Sequence, residues 1–499
     1  MDDLGSTRIV VTGASGFVGR HLVEALERRH QVFALARGGP SSRGFSLPAG
    51  VRWFNLDVRR AEDVAAVFET IRASGGADVL IHLASHYDFT GQAHPEYERT
   101  NVDGTRHVLE AASRLGVRDV VFASSLAACG FPPAGRAITE ETPPDGDTPY
   151  AASKRAGERL VEQHRHAFRG WIVRFAALYS DWCEYEPLFR FLEIWLSRLP
   201  RRRMLAGAGL SAVPYLHVRD AVAFLELLLA RRELLDPRLP LLASPDGATC
   251  HLELFEVATA AHFGERVRPL LVPRALCGPA LWLRSRFAGW AAPPFERPWM
   301  ARMIDLCLRA DASRTRERLG WAPRARLHVL RRMPFLIQNR KAFPPEWQRR
   351  NHAALRRIRL HENLRVHRRL EGLAAELSRR LAACVLDPAH ATRFPRGHSL
   401  DPEQVQAESA LLLEALVDAV RTGEKSLFSS VCRDFAEQRR REGFAPEEAM
   451  SMLDALAQLC LPALAAEEPG RDWSRALYDH VTMTIQFGRD AVQDIDESG

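Results

Sequence analysis

Tyr150 and Lys154 stand four residues apart in Tyr150-Ala151-Ala152-Ser153-Lys154, a spacing that puts both on one face of a helix. A phenol has a reference pKa near ~10 and is a poor base at neutral pH. An ammonium one turn away favours the phenolate. Such a tyrosine can take a proton from an alcohol or return one to a carbonyl oxygen. Upstream, Asp119–Ala123 is an apolar run of strand type, followed by Ser124-Ser125-Leu126-Ala127. Ser125, just past that strand, would hold a substrate oxygen beside Tyr150, and Ser124 is read as support for the local backbone. Ser125, Tyr150 and Lys154 are therefore the expected catalytic set. A lone Tyr-x-x-x-Lys pair is commonly plain helix surface, and its meaning depends on what surrounds it.

A second constellation stands at the start of the chain: Thr12-Gly13-Ala14-Ser15-Gly16-Phe17-Val18-Gly19. It follows an apolar run, Arg8–Thr12, and opens a helical pattern. Gly13 allows a tight turn, Gly16 lets the backbone approach a pyrophosphate, and Gly19 lets the helix pack on the strand. A diphosphate would rest on the helix N-terminus, where N–H groups and the dipole favour anions. Strand, glycine turn and helix together predict a dinucleotide cofactor held by residues 13–19. The second strand ends Ala36-Arg37-Gly38-Gly39 with no acid to bind a ribose 2′-hydroxyl, so Arg37 is expected to accept a 2′-phosphate. The expected cofactor is NADP, with NAD as the alternative. The nicotinamide would then exchange hydride with the carbon whose oxygen Tyr150 serves.

The elements that must carry these groups alternate. Apolar runs at Arg8–Thr12, Gln31–Ala36, Val51–Leu56, Asp78–Leu83, Asp119–Ala123 and Trp171–Phe175 are separated by helical patterns such as Phe17–Arg29 and Val102–Leu115. That order implies an α/β fold, a doubly wound parallel sheet of Rossmann type. Residues 181–335 are less regular and are expected to form a small substrate lobe, so that residues 1–335 make one catalytic domain.

The spacing TGxxGxxG resembles the extended short-chain dehydrogenase/reductase superfamily, the NAD-dependent epimerase/dehydratase branch, over residues of about 7–330. The resemblance implies that Asp57 and Val58, after the third strand, lie at the adenine, that Leu83 and Ala84 lie beside the ribose, and that Asn101 of Asn-Val-Asp-Gly-Thr belongs to the cofactor site. It also implies Tyr150 and Lys154 at the cofactor, and a homodimer built on a four-helix bundle. The segment Tyr215-Leu216-His217-Val218-Arg219-Asp220 is similar to one that closes the lobe, with His217 read as structural. Arg318-Leu319-Gly320-Trp321-Ala322-Pro323 resembles the end of the family's substrate lobe.

Departures from the family's patterns bear on substrate. Ser125 is followed by Leu126 and Ala127 instead of an Asp-Glu pair, which argues against 4,6-dehydration. Cys129-Gly130 replaces Tyr-Gly. Arg174-Phe175-Ala176-Ala177 lacks the asparagine of nucleotide-sugar epimerases, and Ala177 cannot make its hydrogen bond. Phe89, Trp182 and Tyr185 would add apolar walls. The leading expectation is an oxidoreductase acting at a secondary alcohol or ketone of a lipophilic small molecule, similar to 3β-hydroxysteroid dehydrogenases or dihydroflavonol reductases. A nucleotide-sugar epimerase and an NADP-binding redox sensor with a helical output domain stand as alternatives.

Beyond this region the pattern is all helix. Residues 336–385 read as a basic amphipathic linker, with a stripe at Val366, Leu370, Leu373, Leu377 and Leu381. Residues 331–380 hold fourteen Lys/Arg against four Asp/Glu, a local excess larger than the net +6 of the 499-residue chain. Solvated helix faces explain this, and no nucleic-acid partner is expected. Pro388, Pro395, Gly397 and Pro402 punctuate a linker, and helices follow at Pro402–Thr422, Ser426–Glu442, Pro446–Leu464 and Trp473–Gln493. Residues 386–499 are expected to be a regulatory or dimerising helical domain, faintly similar to the sensor domains of stressosome co-antagonist proteins. The segment Ala275–Ala288, with Arg284, Arg286 and nearby Trp290, reads as a substrate-lobe helix, with peripheral membrane contact as the alternative.

At 46% hydrophobic and 26% charged residues the chain reads as soluble and globular. The eight cysteines lack metal-ligand or redox-motif spacing and read as reduced thiols. With no signal peptide and no spanning segment in view, a cytoplasmic location is expected. His398 and His480 are isolated, and no metal is expected.

Overall fold

Near-continuous apolar strands are what a sheet buried on both faces demands. The computed structural model describes residues 7–38, 50–89, 91–287, 296–357, 360–396, 399–466 and 474–497. Gly39, Trp290, Gly397, His398 and Trp473 lie outside them, as do the side chains of Arg284 and Arg286. In chain order the first elements are β1 (Arg8–Thr12), α1 (Phe17–Leu26), β2 (Gln31–Ala36), β3 (Val51–Asn55), α2 (Ala61–Ala73), β4 (Val79–His82), α3 (Gly104–Leu115), β5 (Asp119–Ser125), α4 (Pro149–Gln163) and β6 (Arg169–Phe175). Then come β7 (Ala177–Tyr179), α5 (Glu186–Trp195), β8 (Met204–Ala206), β9 (Ala212–Val213), β10 (Tyr215–His217), α6 (Val218–Arg231), β11 (Leu241–Ala243), β12 (Thr249–Cys250), α7 (His251–Phe263), β13 (Leu270–Val272), α8 (Arg274–Phe287), α9 (Ser313–Leu319), α10 (Val329–Ala342) and α11 (Pro344–Arg357).

Seven strands form one sheet in the order β11-β6-β5-β4-β1-β2-β3, and every pairing is parallel. The order steps outward from β1 to β3 on one side and from β1 through β4 on the other. The crevice at β1 and β4 is thus the place where the chain reverses direction across the sheet, and ligands of such sheets bind at the carboxyl ends there. Two apolar clusters sandwich the sheet, one including Val11, Leu22, Val23 and Ile81, the other Val10, Leu80, Val108 and Val120. Alternate residues of β1 thus feed opposite faces.

The lobe expected to take the substrate has its own core, in which Tyr179, Leu188, Phe189, Leu254 and Phe255 meet Val329, Met333, Leu336 and Trp347 of α10 and α11. The chain divides into two compact units, Met1–Arg357 and Ile358–Gly499. Residues 336–385 are therefore shared between the units: α10 and α11 complete the lobe, and α12 (Leu360–Leu386) belongs to the second.

The second unit continues with α13 (Pro402–Thr422), α14 (Lys425–Arg441), α15 (Pro446–Ala466), α16 (Ser474–Leu477) and α17 (Met483–Glu497). The stripe Val366, Leu370, Leu377 and Leu381 is buried in its core, with Leu373 half-buried beside it. Buried Asn363 donates to the carbonyls of Val420 and Arg421 at 2.7 and 2.9 Å, closing the end of α13. Among the described residues, no helix is long and apolar enough to cross a membrane.

Candidate active site

The glycine turn between β1 and α1 is fixed by lack of room. Gly13 has φ +69°, and a Cβ there would lie 2.7 Å from the Ala84 nitrogen at the end of β4. A Cβ on Gly19 would lie 2.2 Å from the Gly13 carbonyl oxygen. At Gly16, whose N–H donates to that same oxygen at 2.9 Å, the gap would be 3.0 Å. Ala14 is buried, and its N–H reaches the Leu35 carbonyl of β2 at 3.2 Å. Gly16 occupies the N-cap position of α1 without a side-chain cap, so the first-turn N–H groups from Phe17 and Val18 onward lie where an anion is favoured.

Behind this turn runs a chain of hydroxyls and one imidazole that the sequence did not reveal. The Ala84 N–H donates to Thr12 Oγ1 at 3.3 Å, and Thr12 Oγ1 lies 2.7 Å from His82 Nδ1. His82 Nε2 lies 3.0 Å from Thr105 Oγ1, which donates to the Asn101 carbonyl at 2.7 Å. One orientation satisfies every member: Thr12 donates to Nδ1, and the proton on Nε2 goes to Thr105. Burial pushes His82 down to about 3, aided by the charge of Lys154, so the ring is neutral. The one available signal was a histidine closing an otherwise apolar strand.

Asn101 sits in a π-helical turn, Tyr97–Asp103, and is 3% exposed. Its Oδ1 accepts the His86 N–H at 2.7 Å and the Ser85 hydroxyl at 3.2 Å. Its Nδ2 donates to the His86 carbonyl at 2.9 Å and to Ser153 Oγ at 3.0 Å. Ser153 Oγ in turn donates to the Tyr150 carbonyl at 2.8 Å. All four amide valences are spent on the protein, which makes Asn101 a brace between the loop after β4 and the start of α4.

Tyr150 is the second residue of α4, after Pro149, and Thr148 caps the helix by accepting the Ala151 N–H at 3.1 Å. The Tyr150 phenol lies close enough to Ser125, the last residue of β5, for that side chain to lower its pKa, and Ser125 Oγ accepts the Ala127 N–H at 3.2 Å. Lys154, one turn on, donates from Nζ to the Ala123 carbonyl at 2.8 Å and lies 5.7 Å from the Tyr150 ring centroid. The three expected catalytic residues are thus brought together.

Their electrostatics differ from the expectation. Burial pushes the Tyr150 phenol up to about 12, against the smaller opposing effect of the Ser125 side chain. Burial lowers Lys154 to about 8, with the Glu158 charge opposing. In the protein alone desolvation outweighs the ammonium, whose nitrogen is turned to the Ala123 carbonyl.

Ser124 is a correction of another kind. It faces away from the glycine turn and donates to Glu158 Oε1 at 2.5 Å. Arg174 Nε and Nη2 clamp the same carboxylate at 3.0 and 2.8 Å. This buried group ties α4 to β5 and β6.

At the end expected to take the adenine, Arg59 holds Asp57: its Nε lies 2.8 Å from both carboxylate oxygens. Burial would raise the Asp57 carboxyl, but the Arg59 hydrogen bonds and charge, with the charge of Arg37, hold it below the usual range. The neighbouring Val58 carbonyl bonds His107 at 3.0 Å. Arg37 directly follows β2, and no carboxylate stands at residues 36–38. Strand β4 ends at His82, and Leu83 donates to the Thr12 carbonyl at 3.3 Å, beside Gly13.

Aromatic rings surround the Tyr150 side chain. The Tyr87 centroid is 4.1 Å from that of Tyr150, and Phe89 joins Tyr87 at 4.3 Å and Tyr185 at 5.7 Å. Trp182 is not among them. It packs on Phe343 at 6.1 Å and beneath Arg350, because its carbonyl is held by Asn351. His217 is buried, accepts the Arg219 N–H at 3.1 Å and faces Asp181 at 3.3 Å, a structural post at the start of α6. Cys129 is buried, and burial pushes its thiol up to about 11.

His86, Asp88 and His94 bring ligand-type atoms within 4.8 Å of one another. His94 Nδ1 accepts the Glu96 N–H at 3.1 Å, which in a neutral ring puts the proton on Nε2 and makes that atom a donor. Asp88 Oδ1 accepts the Tyr97 hydroxyl at 3.0 Å. The group is polar support beneath the aromatic wall.

Among families of known proteins, the model for the NAD dependent epimerase/dehydratase family matches residues 9–238. The sterol demethylase protein B of Methylococcus capsulatus is 30% identical over 63% of this chain and 93% of its own. The human 3 beta-hydroxysteroid dehydrogenase type 7 is 35% identical over 30% of this chain, which spans 43% of that relative's length. The crystal structure of a Thermus thermophilus UDP-glucose 4-epimerase in complex with NAD shares the fold, with a TM-score of 0.50 at 24% identity over 66% of this chain and 99% of that one.

Proposed function

The chain belongs to the NAD dependent epimerase/dehydratase family, and from that premise we propose that it is an NADP-dependent oxidoreductase acting at a secondary alcohol or ketone of a lipophilic small molecule. The observation that carries the reading is the Tyr150 phenol on the opening turn of α4, beside Ser125 at the end of β5 and walled by Tyr87, Phe89 and Tyr185.

The cradle fits a dinucleotide, since Gly13 and Gly19 leave no space for a side chain and the α1 N-terminus faces the same turn. Residues 13–19 would hold its diphosphate and Arg37 a 2′-phosphate, with Asp57, Val58, Leu83 and Ala84 around its adenosine half. Bound nicotinamide supplies the hydride donor or acceptor. Ser125 orients the substrate oxygen. Tyr150 Oη carries the proton to or from that oxygen. The helix dipole at residue 150 and the Lys154 charge both favour the deprotonated form. The remaining N–H groups of Lys154 suit a ribose hydroxyl.

Burial keeps the Tyr150 phenol protonated at neutral pH, the form that can give a proton to a developing alkoxide. The aromatic wall and Ala177, in place of an amide, favour an apolar substrate over a nucleotide sugar. We place the enzyme in the cytoplasm, and assign the second unit a regulatory or dimerising role.

The test is cofactor consumption on a panel of steroid, flavonoid and aliphatic ketones, compared with UDP- and dTDP-sugars. The expected outcome is net NADPH oxidation on an apolar ketone, lowered by about 10²-fold or more in kcat by Tyr150→Phe with cofactor affinity kept. Sugar-nucleotide turnover without net cofactor change would establish the epimerase reading instead. Full turnover in Tyr150→Phe would remove the relay.

A further inference from the structure

An amphipathic helix normally buries its apolar stripe. Helix α8 does the reverse. Cys277 is buried and a Cβ on Gly278 would lie 3.8 Å from that of Ala301, while Leu276 and Leu283, two turns apart on one face, are 59% and 51% exposed. Trp282 beside them is 57% exposed. Exposed apolar side chains also stand on the ribbon that leads to the helix. Met204 and Leu270 are register partners in the parallel pair β8 and β13, and Leu270 is 59% exposed. Large exposed apolar side chains gathered on neighbouring elements mark a partner or a membrane.

Charge decides between them. Arg201 and Arg203 precede Met204, Arg266 and Arg268 precede Leu270, and Arg274 opens α8, all of them exposed. Arg203 Nε donates to the Arg268 carbonyl at 2.9 Å, so the two basic clusters share one edge of the ribbon. Across residues 196–206 and 264–287 the sole acid is Glu265. Exposed leucines with a tryptophan, bordered by arginines, match the headgroup boundary of an anionic bilayer, where leucine enters, tryptophan sits at the interface and arginine meets phosphate. A second copy of this chain would present the same positive border.

We propose that the β8–β13 ribbon and α8 form a docking face for an anionic lipid bilayer. It does not depend on the catalytic reading.

The test is co-sedimentation of the full chain with phosphatidylcholine vesicles and with vesicles also containing phosphatidylglycerol. Binding is expected on the anionic vesicles, at least tenfold weaker on neutral ones and weakened by salt. Leu276→Glu with Leu283→Glu should lower the anionic-vesicle affinity at least tenfold. As a control against loss of folding in that pair, Arg266→Gln with Arg268→Gln provides a second measure, expected to weaken binding severalfold with an unchanged melting temperature. Absence of sedimentation, equal binding to both vesicle types, or indifference to both variant pairs would overturn the proposal. So would a wild-type chain that self-associates through this face, as read by light scattering and abolished by the Leu pair, while staying off vesicles.

Discussion

Replacing Gly19 by alanine tests the cofactor cradle where it is tightest. The new methyl would stand 2.2 Å from the Gly13 carbonyl oxygen and 2.8 Å from Ala14 Cα, both main-chain atoms. Relief to a normal contact requires α1 and the turn to part by about 1 Å, because neither atom belongs to a side chain that can rotate away. Overpacking of this kind costs about 1–3 kcal/mol of stability. The same movement shifts the α1 N–H groups relative to the end of β4, and a displacement of about 1 Å in a positioned site lowers performance by about 10²-fold. Gly19→Ala is therefore expected to raise the NADP dissociation constant at least tenfold, about 1.4 kcal/mol, in a fluorescence titration. Gly372→Ala, in the exposed middle of α12 with nothing within 4 Å of the new methyl, serves as the reference. It should stabilise the chain by about 0.5–1 kcal/mol in urea denaturation and leave cofactor affinity unchanged. If Gly19→Ala binds NADP as the wild type does, the turn is not where the diphosphate rests.

Arg37→Glu should reverse cofactor preference, lowering the NADP-to-NAD affinity ratio at least tenfold by removing a 2′-phosphate partner and adding a ribose acceptor. Parallel titrations check it, and an equal loss for both dinucleotides would show that Arg37 does not reach the 2′ position. The third prediction concerns acid. His82 is held at about 3 against 6.5 for an exposed ring, so between those pH values the unfolded chain binds a proton that the folded chain refuses. Stability from this group is complete above about pH 6.5 and is lost as pH falls towards 3, at up to about 1.4 kcal/mol per pH unit. Urea midpoints from pH 7 to pH 4 measure the slope, and an identical slope in His82→Gln would refute the assignment.

What could be read from the amino-acid order is what depends on near neighbours. The runs Arg8–Thr12 and Gln31–Ala36 match β1 and β2 to the residue, and Pro402–Thr422 matches α13, because periodicity, glycine and proline act locally. The three catalytic candidates converge because one strand end and one helix start carry them. The details hidden from the sequence depend on distant partners. Asn101 is a brace because Ser153 and His86 arrive from elsewhere in the chain. Ser124 turns to Glu158 for the same reason, and Trp182 leaves the site because Asn351, from α11, fastens its carbonyl. The end of the first unit at Arg357 was hidden because Met333, Leu336 and Trp347 look like any helix's apolar residues until the lobe they fill is known.

The grip of Asn101 on both main-chain groups of His86 has an evolutionary reach. The residue after that anchor is Tyr87, and Phe89 stands two further on, so the side chains proposed to greet a substrate hang from a stretch pinned at its root. On the proposed reading, exchanging them would remodel what is admitted while the Tyr150 hydroxyl, steadied through Ser153 by the same amide, keeps its station. A lineage built on this plan can wander among substrates without rebuilding its chemistry.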